Sequence, residues 1–309
     1  MKRLIFSTLA GLLLAVPVLT SVAQDNSGPV TGVIHTKAGL DMTGTISRSG
    51  KDSLEIHFKS PTGAFVTQRV PLANVDHIEI SGADKLDAEL AKYNADTLSQ
   101  VLLKWRTQQE LLDIEGSIAG AYGLRTAQLL LDTSKPSEAI TAGAILQQII
   151  DRDWNEERRD QARTLVIDSL RRAGKHEQTL KAAQDFLSTD AGAESKAEVS
   201  YYLGLALEDD YRKFIADNPR WASDPIMRPK RDALYNDILD NLLAPYLRYG
   251  APPAATAKSL LAAVNFLNEC GAPDEAKALA GDIVKIFATQ PEAKEAQKFI
   301  KADVGEATN

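Results

Sequence analysis

Hydrophobic and polar positions along this chain fall into three successive regimes. Leu4 to Leu19 is a mostly apolar run broken by Ser7, Thr8 and Pro17. Period two follows: Leu54, Ile56 and Phe58 alternate with Ser53, Glu55, His57 and Lys59, and Met42, Gly44 and Ile46 alternate likewise. That alternation is the mark of half-buried strands. A further strand is expected near Phe65–Val70, then a one-turn bridge through PLANV, then a closing strand over His77–Ile80. Turn chemistry lies between them at KAG, SGKD and SPTG. From Ala83 onward the period becomes helical.

The clearest helical signal is DQARTLVIDSLRRAGKHEQTLKAAQDFL, residues 160–187. Ala162, Leu165, Val166, Ser169, Leu170 and Ala173 share one face before a turn at Gly174; Leu180, Ala183 and Leu187 share one after it. Such a hairpin cannot bury both apolar faces alone, so it needs like neighbours stacked upon it. Ile140, Ile145, Ile149 and Ile150 supply one, Tyr235, Ile238, Leu239, Leu242, Leu243 and Tyr246 another, and Leu260, Leu261, Val264 and Leu267 a third. A long helix carrying Leu98, Val101, Leu102, Trp105 and Leu112 is expected to bridge strands and hairpins, with Asn94 or Asp96 capping it. The glycines of GSIAGAYG, residues 116–123, have no preceding strand and no Gly-Lys-Ser/Thr, so a close helix crossing or a connector fits better than a phosphate loop.

The expected fold class is therefore α+β and predominantly α: a small five-stranded β-barrel, then an irregular α-solenoid of helical hairpins. The expected division is 1–23 signal peptide, 28–82 barrel, 84–115 bridging helix segment, 116–303 helical repeats and 304–309 tail. The strand order ending in VPLANVDHIEI resembles the SH3-like and Sm-like small barrels. Leu203-Gly204 within YYLGLAL, Gly174 between its helices, and Ala139 and Ala276 just inside second helices resemble the tetratricopeptide repeat family. That resemblance implies an array that binds peptides or protein surfaces. The spacing is uneven, with Ala139 to Thr179 spanning 40 residues and Thr179 to Ala276 spanning 97, so the array is irregular.

Charge and cysteine content narrow the partners. Lys2 and Arg3 before the apolar run and Ser21-Val22-Ala23 after it form a secretory signal-peptide pattern, which predicts export to a periplasm or the exterior, without a membrane span after cleavage. No cysteine lies near the cleavage point, which excludes a lipid anchor there. The formal net charge is −7, and loss of Lys2 and Arg3 makes it more acidic still. An acidic chain lacks the clustered cations that nucleic acid and anionic membranes require. Cys270 is the sole cysteine, so no intrachain disulfide forms, and it is expected to pack as a small hydrophobe near a helix end.

Candidate chemistry is sparse. There is no G-x-S-x-G, H-E-x-x-H, C-x-x-C or G-x-G-x-x-G, so no catalytic, metal or cofactor residues are assigned and the chain is expected not to be an enzyme. His35, His57 and His77 sit about 20 residues apart, a spacing that suits solvent-facing strand positions better than a metal site. The one segment that breaks the helical pattern is IADNPRWASDPIMRPKRDALY, where Pro219, Pro225 and Pro229 forbid a continuous helix through 217–229. Arg220 and Trp221 there are interface residue types, and Arg228, Lys230 and Arg231 form a positive cluster. With Tyr202 and Tyr211 they are the candidate partner-binding residues of a non-catalytic envelope scaffold that binds a protein. The alternatives are an envelope polysaccharide-binding module, with Trp221, Tyr202, Tyr211 and Tyr249 as stacking platforms, and a glycan hydrolase with unrecognised carboxylates.

Overall fold

A computed structural model describes residues 30–301; the signal-peptide pattern and the 304–309 tail lie outside the described residues. Five antiparallel strands come first among the described residues: β1 Val30–Thr36, β2 Asp41–Arg48, β3 Ser53–Lys59, β4 Phe65–Pro71 and β5 Val75–Ile80, in the order β4-β3-β2-β1-β5. The inward positions Ile34, Ile46, Leu54, Ile56 and Ile78 are fully buried, as period two requires. The PLANV bridge is a 3-10 turn over Leu72–Asn74.

The sheet is open, so the expected barrel is corrected. Closure would pair β4 with β5, and two features prevent it. Phe65 to Arg69 are exposed and offer no alternating apolar face to a closing strand. The free edge of β5 is already engaged, because the Ile78 amide donates to the Glu115 carbonyl at 2.8 Å. Helices cover the apolar face instead, and one continuous core runs from Ile34 and Ile78 through Val101, Trp105 and Tyr122 to Leu146 and Leu165.

The bridge over 84–115 is in two parts divided at the expected Asn94 cap, and its second helix stops at Gln108, short of Leu112. It comprises α1 Leu86–Leu90, a 3-10 turn Ala95–Thr97 and α2 Leu98–Gln108, with a second 3-10 turn Gln109–Leu111 before Leu112. Asn94 causes the break: its side chain accepts from the Asp96 amide, and Thr97 Oγ1 accepts in return from the Asn94 amide at 2.8 Å. This reciprocal cap starts a new helix.

Among the described residues nine helices follow: α3 Ala119–Asp132, α4 Pro136–Arg152, α5 Glu156–Arg172, α6 His176–Leu187, α7 Ala193–Asp217, α8 Met227–Leu247, α9 Pro253–Glu269, α10 Pro273–Ile286 and α11 Pro291–Lys301. Proline opens α4, α9 and α10, where its missing N–H costs no helical bond. The α5–α6 turn passes through Gly174 at φ 71°, a left-handed value that favours glycine. Neighbours in sequence pack as hairpins, and α3, α5, α7, α9 and α11 also lie side by side as one layer. The stack is irregular because α7 has 25 residues and α8 has 21, which accounts for the long interval between alignable turns. Among the described residues no helix is long and apolar enough to cross a membrane.

Candidate functional site

Three of the residues singled out by sequence meet at the turn between α7 and α8. The irregular stretch is shorter than the prolines suggested: α7 runs to Asp217, a 3-10 turn spans Trp221–Ser223, and α8 begins at Met227. Pro229 falls in the first turn of α8, where no intrahelical donor is lost. The turn between them is closely tied. Asp224 Oδ1 accepts from the amides of Ile226 and Met227 at 2.8 and 3.2 Å, Asn218 Nδ2 donates to the Phe214 carbonyl at 2.9 Å, and the Arg228 guanidinium donates to the Ala222 carbonyl.

Arg231 is the centre of this site. Its guanidinium carbon lies 4.6 Å from the Tyr235 ring, 5.0 Å from Trp221 and 5.4 Å from Tyr211. Its Nε donates to the Tyr211 hydroxyl at 3.0 Å. Tyr211 and Tyr235 rest in turn on Phe266 of α9, with ring centroids 5.2 and 5.4 Å away. Burial pushes the Tyr211 phenol up to about 12 and raises the Cys270 thiol beside it. Cys270 caps the C-terminal end of α9, as a small, partly buried side chain there should. An arginine enclosed by aromatic faces gains cation–π attraction in proportion to its desolvation. The cluster fixes the turn, and what the turn presents is different: Arg220, Arg228 and Lys230 are exposed, and Ile226 stands 66% exposed among them. Among the described residues Arg220 and Lys230 have no ion-pair partner.

Neither nominated tyrosine is open to solvent, and Tyr202 lies away from the Arg231 cluster. Tyr202 is 4% exposed and Tyr211 7%, so neither offers the open ring face that glycan stacking demands. Tyr202 belongs to a polar seam across α5, α7 and α9. Its hydroxyl donates to Glu198 at 2.8 Å, and Lys258 stands 4.7 Å from the neighbouring Tyr201 ring. Buried Asp168 accepts from Arg171 and Arg172, and Arg212 bridges Glu208 and Glu269. His176 opens α6 with its Nε2 2.6 Å from Asp210 of α7.

Two of the three strand histidines come together. His35 and His77 are cross-strand partners whose rings stack with centroids 4.3 Å apart, and Nδ1 of each faces a carboxylate, Asp41 and Asp76. His57 lies apart and bonds Thr67. Among the described residues no group of three or more His, Cys, Asp or Glu side chains forms a metal-binding arrangement. The glycine-rich segment is a close crossing, as a Cβ on Gly120 would overlap Asp153 and one on Gly123 would meet Trp105 at 2.8 Å.

Sequence reasoning missed Tyr235, Asp224 and Ile226. Tyr235 sits four positions after Arg231 on one helix, a spacing that places the two side chains together and was available as a signal. Comparison with protein-family models, with curated proteins and with solved structures finds no match.

Proposed function

We propose that the chain is an exported, non-catalytic scaffold that docks an acidic protein partner in the cell envelope through the α7–α8 turn of a tetratricopeptide-like helical array. The observation that carries this reading is the preorganised turn itself. An exposed apolar residue, Ile226, lies within six residues of exposed Arg220, Arg228 and Lys230 on a backbone held by Asp224 and by the Arg231 aromatic cluster. Rigid presentation lowers the ordering cost of binding, and a local cationic surface on an acidic protein steers an acidic partner to that spot. Export rests on the basic, apolar and small-residue pattern of residues 1–23.

The test is photo-crosslinking in the native compartment from position 226, with position 286 as an exposed apolar control. A discrete, salt-sensitive adduct with a protein bearing an acidic surface is expected from 226 only. The triple variant Arg220→Glu, Arg228→Glu, Lys230→Glu should reduce it about tenfold or more. Equal adducts from both positions, or an adduct untouched by charge reversal, would remove the turn from the binding surface.

A further inference from the structure

Where the sheet meets the helices there is a second feature, unrelated to the α7–α8 turn. A cleft of about 360 Å³ opens between the β1 and β5 ends, α1 and its following turn, α2, and the start of α3. That size lies within the range of small-molecule sites, and junctions between structural layers are where such sites concentrate. Gln108 lines it, is 5% exposed, and its Oε1 accepts no hydrogen bond among the described residues. A buried amide oxygen without a donor is costly, of the order of 1–3 kcal/mol, and calls for a missing partner. In the larger cleft, of about 480 Å³ between α1, α3 and α5, Arg158 is held by Asp153, and the Arg125 guanidinium, whose Nε is also unpartnered, already donates to the Tyr93 carbonyl through its other nitrogen.

The rest of the lining narrows what that partner is. Glu89 accepts the Tyr93 hydroxyl at 3.0 Å and stands 3.9 Å from the Lys104 ammonium, so the walls carry one charge of each sign and favour a neutral guest. Burial raises the Tyr93 and Tyr122 phenols, so both stay protonated, with the Tyr93 proton already given to Glu89. Ser81 adds a group that donates and accepts alike, Thr107 Oγ1 donates to the Leu103 carbonyl at 2.7 Å and is left as an acceptor, and Val30, Ile80 and Ile118 are the apolar part of the lining. Hydroxyl groups satisfy donors and acceptors with one chemistry, and a ring with an apolar face suits the aliphatic wall. We infer that the sheet–helix cleft lined by Gln108, Tyr93 and Glu89 binds a neutral, hydroxyl-rich small molecule of the sugar or cyclic polyol class, with the Gln108 oxygen accepting from a ligand hydroxyl.

The full chain is titrated with maltose, N,N′-diacetylchitobiose and myo-inositol as neutral probes, and with glucuronate and glucosamine as charged ones, by calorimetry and ligand-observed NMR. Saturable binding of at least one neutral probe, and weaker binding of both charged ones, is the expected result. Gln108→Leu, which keeps the volume and removes the acceptor, should weaken it about tenfold. Leu103→Trp, which obstructs the 48% exposed rim without touching the buried wall, should weaken it at least as much. Binding of no neutral probe would mean that water alone satisfies Gln108, and the inference would fall. It would equally fall if glucuronate or glucosamine bound as well as the neutral probes, or if binding survived both substitutions. None of these outcomes bears on the α7–α8 turn, which lies outside the cleft.

Discussion

Buried charges set the sharpest constraints at the scale of single residues. Asp153 is 1% exposed and takes two hydrogen bonds from Arg158, at 2.8 Å to Oδ2 and 2.7 Å to Oδ1. Arg158 also lies 5.2 Å from the Trp154 ring, and Trp154 Nε1 donates to the Ser117 carbonyl that Arg158 contacts as well. Breaking one side of a buried pair leaves a stranded charge, at a cost of about 3–5 kcal/mol. Asp153→Ala should therefore lower unfolding free energy by that amount in urea titration. Gly120→Ala should cost about 1–3 kcal/mol or more, since the added methyl occupies the position of the Asp153 carboxylate. Glu208 makes a pH prediction. Burial raises its carboxyl above the usual range while Arg212 opposes the shift, so the folded chain holds that proton more tightly than the unfolded chain. The stabilising contribution is complete below the ordinary carboxylate range and is lost as pH rises through the raised value. Glu208→Gln has no such titration, so its melting temperature relative to the parent should improve between about pH 4 and about pH 7. An unchanged difference across that interval would show that Glu208 does not titrate abnormally.

Elements divide between those whose side chains speak locally and those that depend on distant packing. The α7–α8 turn rests on Arg231, and Arg231→Met should free Trp221, red-shift its fluorescence and open it to a neutral quencher. The stability loss should be about 1–2 kcal/mol from the lost cation–π contacts. If the fluorescence and quenching stay unchanged, Trp221 is held by something other than Arg231. The hairpin over 160–187 was legible because its apolar spacing, its glycine turn and its first-turn acidic residue agree. Strands were legible for the same reason, with period two and turn residues in accord. The barrel was not, because closure depends on whether two edges meet, and nothing in Phe65–Pro71 records that Glu115 takes the other edge. The convergence of Tyr211 and Trp221 on Arg231 was equally hidden, since it depends on how far α7 extends before it turns. Tyr202 misled because a tyrosine on a helix carries the same letter whether it faces solvent or, as here, packs with Ile167 of α5 and Ala183 of α6.

At the scale of the molecule, sheet and helices share one buried core on the side of the chain that precedes α6. The apolar cluster that starts at Val30 ends at Leu165 and takes in residues of the sheet, α2, α3, α4 and α5. A fragment of residues 30–83 would expose the buried face of the sheet, so it should show no cooperative thermal transition by circular dichroism. Residues 30–187 should retain one, because they contain the whole cluster. A sharp melt from the shorter fragment would show that the sheet is self-sufficient. The bond from the Ile78 amide to the Glu115 carbonyl adds a consequence that concerns exchange with solvent. Its donor sits in a strand and its acceptor in the helical part, so no unravelling within either is needed to expose that hydrogen. Deuterium uptake at Ile78 would thus count separations of sheet from helices, one event at a time, while the amides shared between β1 and β2 stayed silent.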